Sequence, residues 1–301
     1  MSNQPRHFIN LEDIPAAELR GILNQARVMK TQKMAPAQIF NGLSLAMIFD
    51  KPSTRTRVSF EVGFKQHGGH TVVLSKNEMQ LGHSETIKDT AMVLSGMVDA
   101  IMIRISKHED VEELAKYATI PVINALTNAS HPCQIMADIM TIEEKKGPIK
   151  DMKIAWLGDY NNVAKTFAQA AGIFGFDLTM AMPQQLHPTG QLPARVSLTA
   201  DAHAGVAGAD VVVTDTWASM GQEGKSLDMF WPYQVNAALM AKAKPDAIFM
   251  HCLPAHRNEE VTDEVIDSAQ SVVYPEAHNR LHVQKGIMAW CLKNAGVTPK
   301  M

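Results

Sequence analysis

Ser53-Thr-Arg-Thr-Arg57 follows the apolar run Leu43–Phe49 and precedes Phe60 and Phe64. A strand ending at Asp50, then Pro52 and Ser53 opening a helix, puts Ser53 at the N-cap. The amides of Thr54, Arg55 and Thr56 then lie in an exposed first turn. Those amides, the helix dipole and the neighbouring hydroxyls make an anion site. Arg55 or Arg57 adds a charged, bidentate grip on phosphate. This is not a Walker loop, because the Gly-Lys-Ser/Thr spacing is missing. A surface Ser/Thr/Arg cluster is the plainer alternative.

Other candidates also sit just after apolar, β-branched runs. His131 and Gln134 are three apart across Pro132, which suits a first helical position. Two such donors can hold a carbonyl oxygen as negative charge grows on it; a cap and a solvated glutamine are the alternative. Arg104 closes Ala100-Ile-Met-Ile-Arg104 and needs a partner, either a bound anion or a carboxylate such as Glu109. Asn161 and Asn162 open a helix after Leu157, as ligand donors or as turn and cap residues. Asp215 leaves Val211–Thr214 and leads to Ser219-Met220-Gly221, a lid-like loop. Cys252 leaves another strand, with a buried core thiol as the alternative. Arg280 adds one more cation after Val272–Tyr274.

These residues need a scaffold that repeats strand, loop, helix. Strand candidates are Leu43–Phe49, Thr71–Leu74, Ala100–Ile105, Pro121–Asn124, Lys153–Leu157, Leu178–Met182, Asp210–Thr214, Ala247–Met250 and Val272–Tyr274. Amphipathic segments separate most of them, which predicts an α/β fold with parallel sheets flanked by helices. Gly147-Pro148 marks a break. It divides the chain into residues 1–146 and 147–282, with a C-terminal helical segment, 283–301, packing back on the first half. Ligands of such sheets bind beyond the carboxyl ends of the strands. The Leu157-Gly-Asp-Tyr-Asn-Asn162 turn lacks the glycines of a dinucleotide fingerprint, so no nucleotide cofactor is expected.

Composition narrows the partners. Acidic residues outnumber basic ones, 31 to 28, so no nucleic-acid surface is indicated. No apolar run reaches the ~18 residues of a membrane span, and Met1–Asn10 lacks the core of a signal peptide. Three widely spaced cysteines, Cys133, Cys252 and Cys291, suggest neither a disulfide framework nor a zinc motif. A cytoplasmic protein is expected.

Phe49-x-Lys-x-Ser-Thr-Arg-Thr-Arg57, His131-Pro-Cys-Gln-x-x-Ala-Asp138, Asp215-x-x-x-Ser-Met-Gly221 and His251-Cys-Leu-Pro254, in this order, resemble the aspartate/ornithine carbamoyltransferase family, at its ornithine-using branch. The resemblance implies two αβα domains with the active site in the cleft between them. It implies transfer of a carbamoyl group from carbamoyl phosphate to the δ-amine of L-ornithine, giving L-citrulline and phosphate. Ser53, Thr54, Arg55 and Thr56 would hold phosphate. Gln80 would reach it from a neighbouring subunit. Arg104 and His131 would polarise the carbamoyl carbon. Gln134, Arg280 and the main chain near Cys252 and Leu253 would bind the carbamoyl group. Asn162, Asp215, Ser219 and Met220 would bind ornithine. Asp215 and Cys252 would orient the amine, with a Cys252 thiolate favoured by Arg280 and the bound ammonium. The implied assembly is a homotrimer or a multiple of trimers, with no metal and no organic cofactor. Paralogues using putrescine or an acylated ornithine, and a non-catalytic anion binder on the same fold, are the rival readings.

Overall fold

A computed structural model describes residues 5–32, 37–75, 85–218, 224 and 226–294. The chain groups into two compact units, Met1–Ala137 with Asn279–Met301, and Asp138–His278.

In the first unit, α1 spans Ala16–Thr31, β1 Ser44–Phe49, α2 Thr54–Gln66, β2 His70–Ser75, α3 Ile87–Ser95, β3 Ala100–Arg104, α4 His108–Tyr117 and β4 Val122–Leu126. The strands are all parallel, in the order β2-β1-β3-β4. Phe49 pairs in register with Arg104, so the chain leaves β1 and β3 at the same edge. Ala46 and Ile48 of β1, Ile101 and Ile103 of β3, and Val111 and Leu114 of α4 share one buried cluster. Strands buried this fully read as continuous apolar runs, which is why they were visible in the sequence. The buried face of α2 is Thr56, Ser59, Phe60, Gly63 and Phe64, the spacing of a single helical stripe. That stripe carries Thr56 inward with the two phenylalanines.

α5 spans Pro132–Lys146, and the division between the units falls within it. The second unit continues with β5 Lys153–Leu157, α6 Asn162–Phe174, β6 Asp177–Ala181, β7 Val196–Thr199, α7 Ala202–Val206, β8 Val211–Thr214, α8 Ala237–Met240, β9 Ile248–His251 and α9 Asp263–Ile266. Its sheet is also parallel, ordered β7-β6-β5-β8-β9. The cluster of Ala155, Leu157, Val212, Phe249, Val261 and Val273 fills it from one side. α6 closes on Gly175, whose φ of 78° is the left-handed cap that glycine adopts freely.

Two sequence expectations require correction. Val272–Tyr274 is not a strand. Ser271 makes an isolated bridge to Phe249, and the final helix, α10, starts at Val273 and runs to Asn294. Pro275 lies in its first turn, where a missing N–H costs nothing. The β-branched run reflects burial of Val272 and Val273, not sheet pairing. β7 is absent from the candidate strands. It lies at a sheet edge and is only half-buried, so its sequence, Val-Ser-Leu-Thr, carries a weak apolar signal.

The C-terminal part of α10 packs within the first unit. The Trp290 indole N–H donates to Glu18 at 2.9 Å, and its ring meets Phe8 edge-on. At Gly286 the helix passes so close to α1 that an added Cβ would stand 2.8 Å from the Ile22 carbonyl oxygen. We expect Gly286→Val to destabilise the protein by about 1–3 kcal/mol through overpacking. Thermal and urea unfolding of the purified variant check this, and an unchanged midpoint would contradict the close approach.

Candidate active site

The first unit gathers cations around one hydroxyl. Thr56 is fully buried, and its Oγ1 accepts from Arg104 Nη1 at 3.0 Å and from Arg280 Nη2 at 2.8 Å. The three come from α2, β3 and α10, far apart in sequence. Two guanidiniums held this close repel each other, so the arrangement favours an anion beside them. His131, at the start of α5, is buried in the same charge field. Burial first, then the Arg280 and Arg104 charges, push its pKa well below the usual histidine range. It is therefore a neutral imidazole at physiological pH, able to donate one N–H. Gln134 is fully buried one turn on, and its amide hydrogen bonds to the His131 carbonyl at 3.1 Å.

Ser53 is the N-cap residue of α2, with extended backbone, but its side chain makes no capping bond among the described residues. The expected capping bond is therefore absent, while the helix start is where the sequence placed it. Ser53 and Thr54 line a cavity of about 450 Å³ with Asp50, Lys51 and Arg57. Asp50 fixes its floor by accepting from both the amide and the hydroxyl of Ser106, at 2.7 and 2.8 Å. Arg55 is half-buried and makes no ion pair with the described residues, whereas Arg57 lies 3.6 Å from Glu61. Lys51 was part of the motif but received no role from it. Its place in this cavity adds a cation.

In the second unit a line of polar groups crosses the ends of β5, β8 and β9. Asn161, not Asn162, is the side-chain cap of α6: its Oδ1 accepts from Val163 and Ala164. Its Nδ2 donates to Asp215 Oδ2 at 2.7 Å. Cys252 donates its thiol to Asp215 Oδ1 at 3.1 Å. Asn162 begins the helix, and its Oδ1 accepts from the Val163 amide at 3.1 Å. Gly158 lets the β5 turn pass under Trp217: its φ is 111°, and a Cβ there would meet the indole nitrogen at 3.0 Å.

In the free protein the surroundings of Cys252 run against the thiolate expected there beside Arg280 and a bound ammonium. Burial, then the negative charges of Asp215 and Glu276, push its pKa well above that of an ordinary thiol. The groups facing it within its own unit are acids, which no local motif disclosed. Cys133 is buried and raised to about 12, and Cys291 is raised as well.

Two residues escaped the sequence reading. Glu276 and Asp138 are both buried and share a hydrogen bond, and Glu276 Oε2 accepts the His251 amide at 3.0 Å. Burial, then the Asp138 charge, pushes Glu276 well above the usual carboxylate range. Asp138 closes the His131–Asp138 motif, one helical turn after Gln134, which was the available signal.

Asp215, His251 and Cys252 bring potential metal-ligand atoms within 4.8 Å of one another, as do His256, Glu259 and Glu260. In the first group both His251 ring nitrogens are already engaged, by Leu253 N–H and by Glu260. It therefore offers a metal at most a thiol and a carboxylate without rearrangement. Gln80, Ser219 and Met220 lie outside the described residues.

Two parallel-sheet units, one gathering cations and a neutral imidazole, the other a thiol and carboxylates, suit a two-substrate transfer. Residues 6–144 match the family described as aspartate/ornithine carbamoyltransferase, carbamoyl-P binding domain, and residues 150–291 match its Asp/Orn binding domain. The chain belongs to the aspartate/ornithine carbamoyltransferase family. It is 57% identical to the ornithine carbamoyltransferase of Rhodopseudomonas palustris, covering 97% of this chain and 98% of that one. To that of Brucella ovis it is 56% identical, covering 98% of each. Its fold is similar to the ornithine carbamoyltransferase structure from Pyrococcus furiosus, with TM-score 0.92, 48% identity and coverage of 97% and 99%.

We expect Thr56→Val, which keeps shape but removes the acceptor shared by Arg104 and Arg280, to cost about 1–3 kcal/mol of transition-state binding. Measured as kcat/KM for carbamoyl phosphate, that is roughly a 5- to 150-fold loss. A change under twofold in a folded variant would show that the hydroxyl is not what sets the two guanidiniums. For Cys252, iodoacetamide alkylation of the free protein is expected to be slow at pH 8 and still rising at pH 9.5. Asp215→Asn removes one charge that raises the thiol and is expected to speed the reaction at pH 8. Peptide mapping of the label checks both, and a wild-type rate that levels off below pH 8 would restore the thiolate.

Proposed function

We propose that the protein transfers the carbamoyl group of carbamoyl phosphate to the δ-amine of L-ornithine, giving L-citrulline and phosphate. The observation that carries this reading is the Arg104–Thr56–Arg280 contact beside a neutral His131, a donor set fitted to an anion whose carbonyl gains charge. Family membership and the names of the most similar relatives support the same reading.

In this proposal residues 1–146, with the C-terminal helix, form the carbamoyl phosphate-binding domain, and residues 147–282 the ornithine-binding domain. Ser53, Thr54, Arg55 and Thr56 hold the phosphate, with Gln80 contributed by a neighbouring subunit. Gln134, Arg280 and the main chain at Cys252 and Leu253 bind the carbamoyl group. Asn162, Asp215, Ser219 and Met220 bind ornithine. The neutral δ-amine attacks the carbonyl carbon, forming a C–N bond and a tetrahedral oxyanion. Arg55, Arg104 and His131 stabilise that oxyanion as it forms. The C–O bond to phosphate then breaks, and the departing phosphate takes up the proton that the amine loses. No covalent enzyme intermediate is needed, because the substrate carries its own leaving group. Asp215 attracts the ornithine ammonium, and Cys252 stays a neutral thiol that donates to the Asp215 carboxylate.

The assembly we propose is a homotrimer or a multiple of trimers, formed through the first unit. Val58 and Val62 on α2, Met92 and Val93 on α3, and Met97 are large apolar side chains exposed there. No described helix is long and apolar enough to cross a membrane. The free thiols of Cys133, Cys252 and Cys291 support a cytoplasmic setting.

The test is citrulline formation with ornithine, compared with acetylornithine, putrescine and aspartate as acceptors. Arg55→Ala should nearly abolish turnover, at a cost of roughly 2–5 kcal/mol, with folding intact. Preference for another amine would overturn the acceptor assignment, and near-normal kinetics in the variant would overturn the phosphate role of Arg55.

A further inference from the structure

The segment that carries Cys252 and Leu253 leaves β9 in a backbone conformation that ordinary L-residues avoid. Leu253 has a φ of 56°. Left-handed backbone at a branched, non-glycine residue costs free energy, so it persists only where neighbouring contacts hold it. Those contacts start at His251. Its Nδ1 accepts the Leu253 N–H at 2.9 Å, so the ring proton belongs on Nε2. Nε2 faces Glu260 Oε1 at 3.1 Å, and both side chains are fully buried. The same Oε1 accepts the His256 amide at 2.6 Å. A single carboxylate oxygen thus ties the two ends of the 251–256 segment. Glu260 itself is held by its backbone, whose carbonyl accepts from Val235 at 2.9 Å. With the other tautomer, Nδ1–H would confront Leu253 N–H, donor against donor, and Nε2 would offer a lone pair to a carboxylate. Both contacts would be lost together.

We infer that Glu260 is a positioning residue for carbamoyl transfer. By accepting the His251 Nε2 proton it selects the tautomer that holds Leu253, and so sets the main chain from which Cys252 and Leu253 act. It touches neither substrate in this account, which rests on the proposed function for what that main chain binds. Sequence alone hides the role, because His256-Arg-Asn-Glu-Glu260 reads as a solvated polar loop.

The experiment compares Glu260→Gln and Glu260→Met in the full-length protein. The glutamine amide oxygen accepts the same two N–H groups, so E260Q should keep kcat and both KM values within about threefold. Methionine fills the space without an acceptor. E260M should lose at least tenfold in kcat/KM for carbamoyl phosphate, whose carbamoyl group that main chain is proposed to bind, while inorganic phosphate alone, measured by equilibrium dialysis, binds within twofold of wild type. Nitrogen-15 spectra of histidine-labelled protein should give a His251 with Nε2 protonated and Nδ1 not, in wild type and E260Q. Folded E260M with near-normal carbamoyl phosphate kinetics overturns the proposal. So does E260M that loses inorganic phosphate binding as severely as carbamoyl phosphate use, because that is a general structural defect. If E260M does not fold, the wild-type and E260Q spectra decide, and a His251 protonated on Nδ1 overturns it. Wild-type turnover with ornithine is the control. Its absence would sink the proposed function, while the tautomer measurement would still test the Glu260–His251 link.

Discussion

In a parallel sheet every strand points the same way, so every strand-to-helix connection leaves from one edge. That constraint organises both units. In the first, β1, β3 and β4 are neighbours; β3 ends on Arg104, and the segments following β1 and β4 carry Ser53 to Thr56 and His131. In the second, β5, β8 and β9 are neighbours, and the segments following them carry Asn161, Asp215 and Cys252. Register does the fine placement: Leu157 pairs with Thr214 and Thr214 with His251, so Asn161, Asp215 and Cys252 start from adjacent strand ends. In each order the sequence direction of the crossovers reverses at one point, between β1 and β3 and between β5 and β8. The polar groups gather beside those reversals, where two connections diverge and leave space.

How much of this was legible follows from which signals are local. Buried parallel strands advertise themselves as apolar runs, so β1, β3, β5 and β8 were visible with little ambiguity. An edge strand such as β7 has no such signature. Val272-Val-Tyr274 misled because burial and β-propensity leave the same mark on a sequence. The helix start at Thr54 and the Asn161–Asn162 turn were legible as positions, but not which side chain would cap. The Ser53 side chain makes no capping bond among the described residues, and Asn161 rather than Asn162 is the N-cap of its helix. Thr56 appeared as one hydroxyl among three. Its place on the buried stripe of α2, with Phe60 and Phe64, is what brings it to two arginines 48 and 224 residues away.

The charges that decide chemistry were the least legible, because they are sums over several elements. Cys252 looked activated when set beside Arg280 by motif. Burial, and then Asp215, Glu276 and Asp138 within the second unit, make it a reluctant acid instead. His131 was legible as a donor, but not that burial and then two arginines would hold it neutral. Both outcomes follow first from burial, which disfavours the charged form of each group, and then from the signs of the neighbouring charges.

The two units therefore hold opposite electrostatic characters, and each suits one substrate. Carbamoyl phosphate is an anion, and the first unit offers it clustered guanidiniums with a hydrogen-bond donor that adds no further charge. Ornithine brings ammonium groups, and the second unit offers it carboxylates around a neutral thiol. Opposite charge has a limit, however. Asp138, Asp215 and Glu276 ionised together in a buried region would repel one another, and would hold an ammonium too firmly to release its proton. The Asp138–Glu276 contact bears on that, because burial and the Asp138 charge push Glu276 well above the usual carboxylate range, the direction that lowers the negative charge of the region. In the proposed reaction, the same shift would ease the loss of the proton that the amine must give up before it attacks.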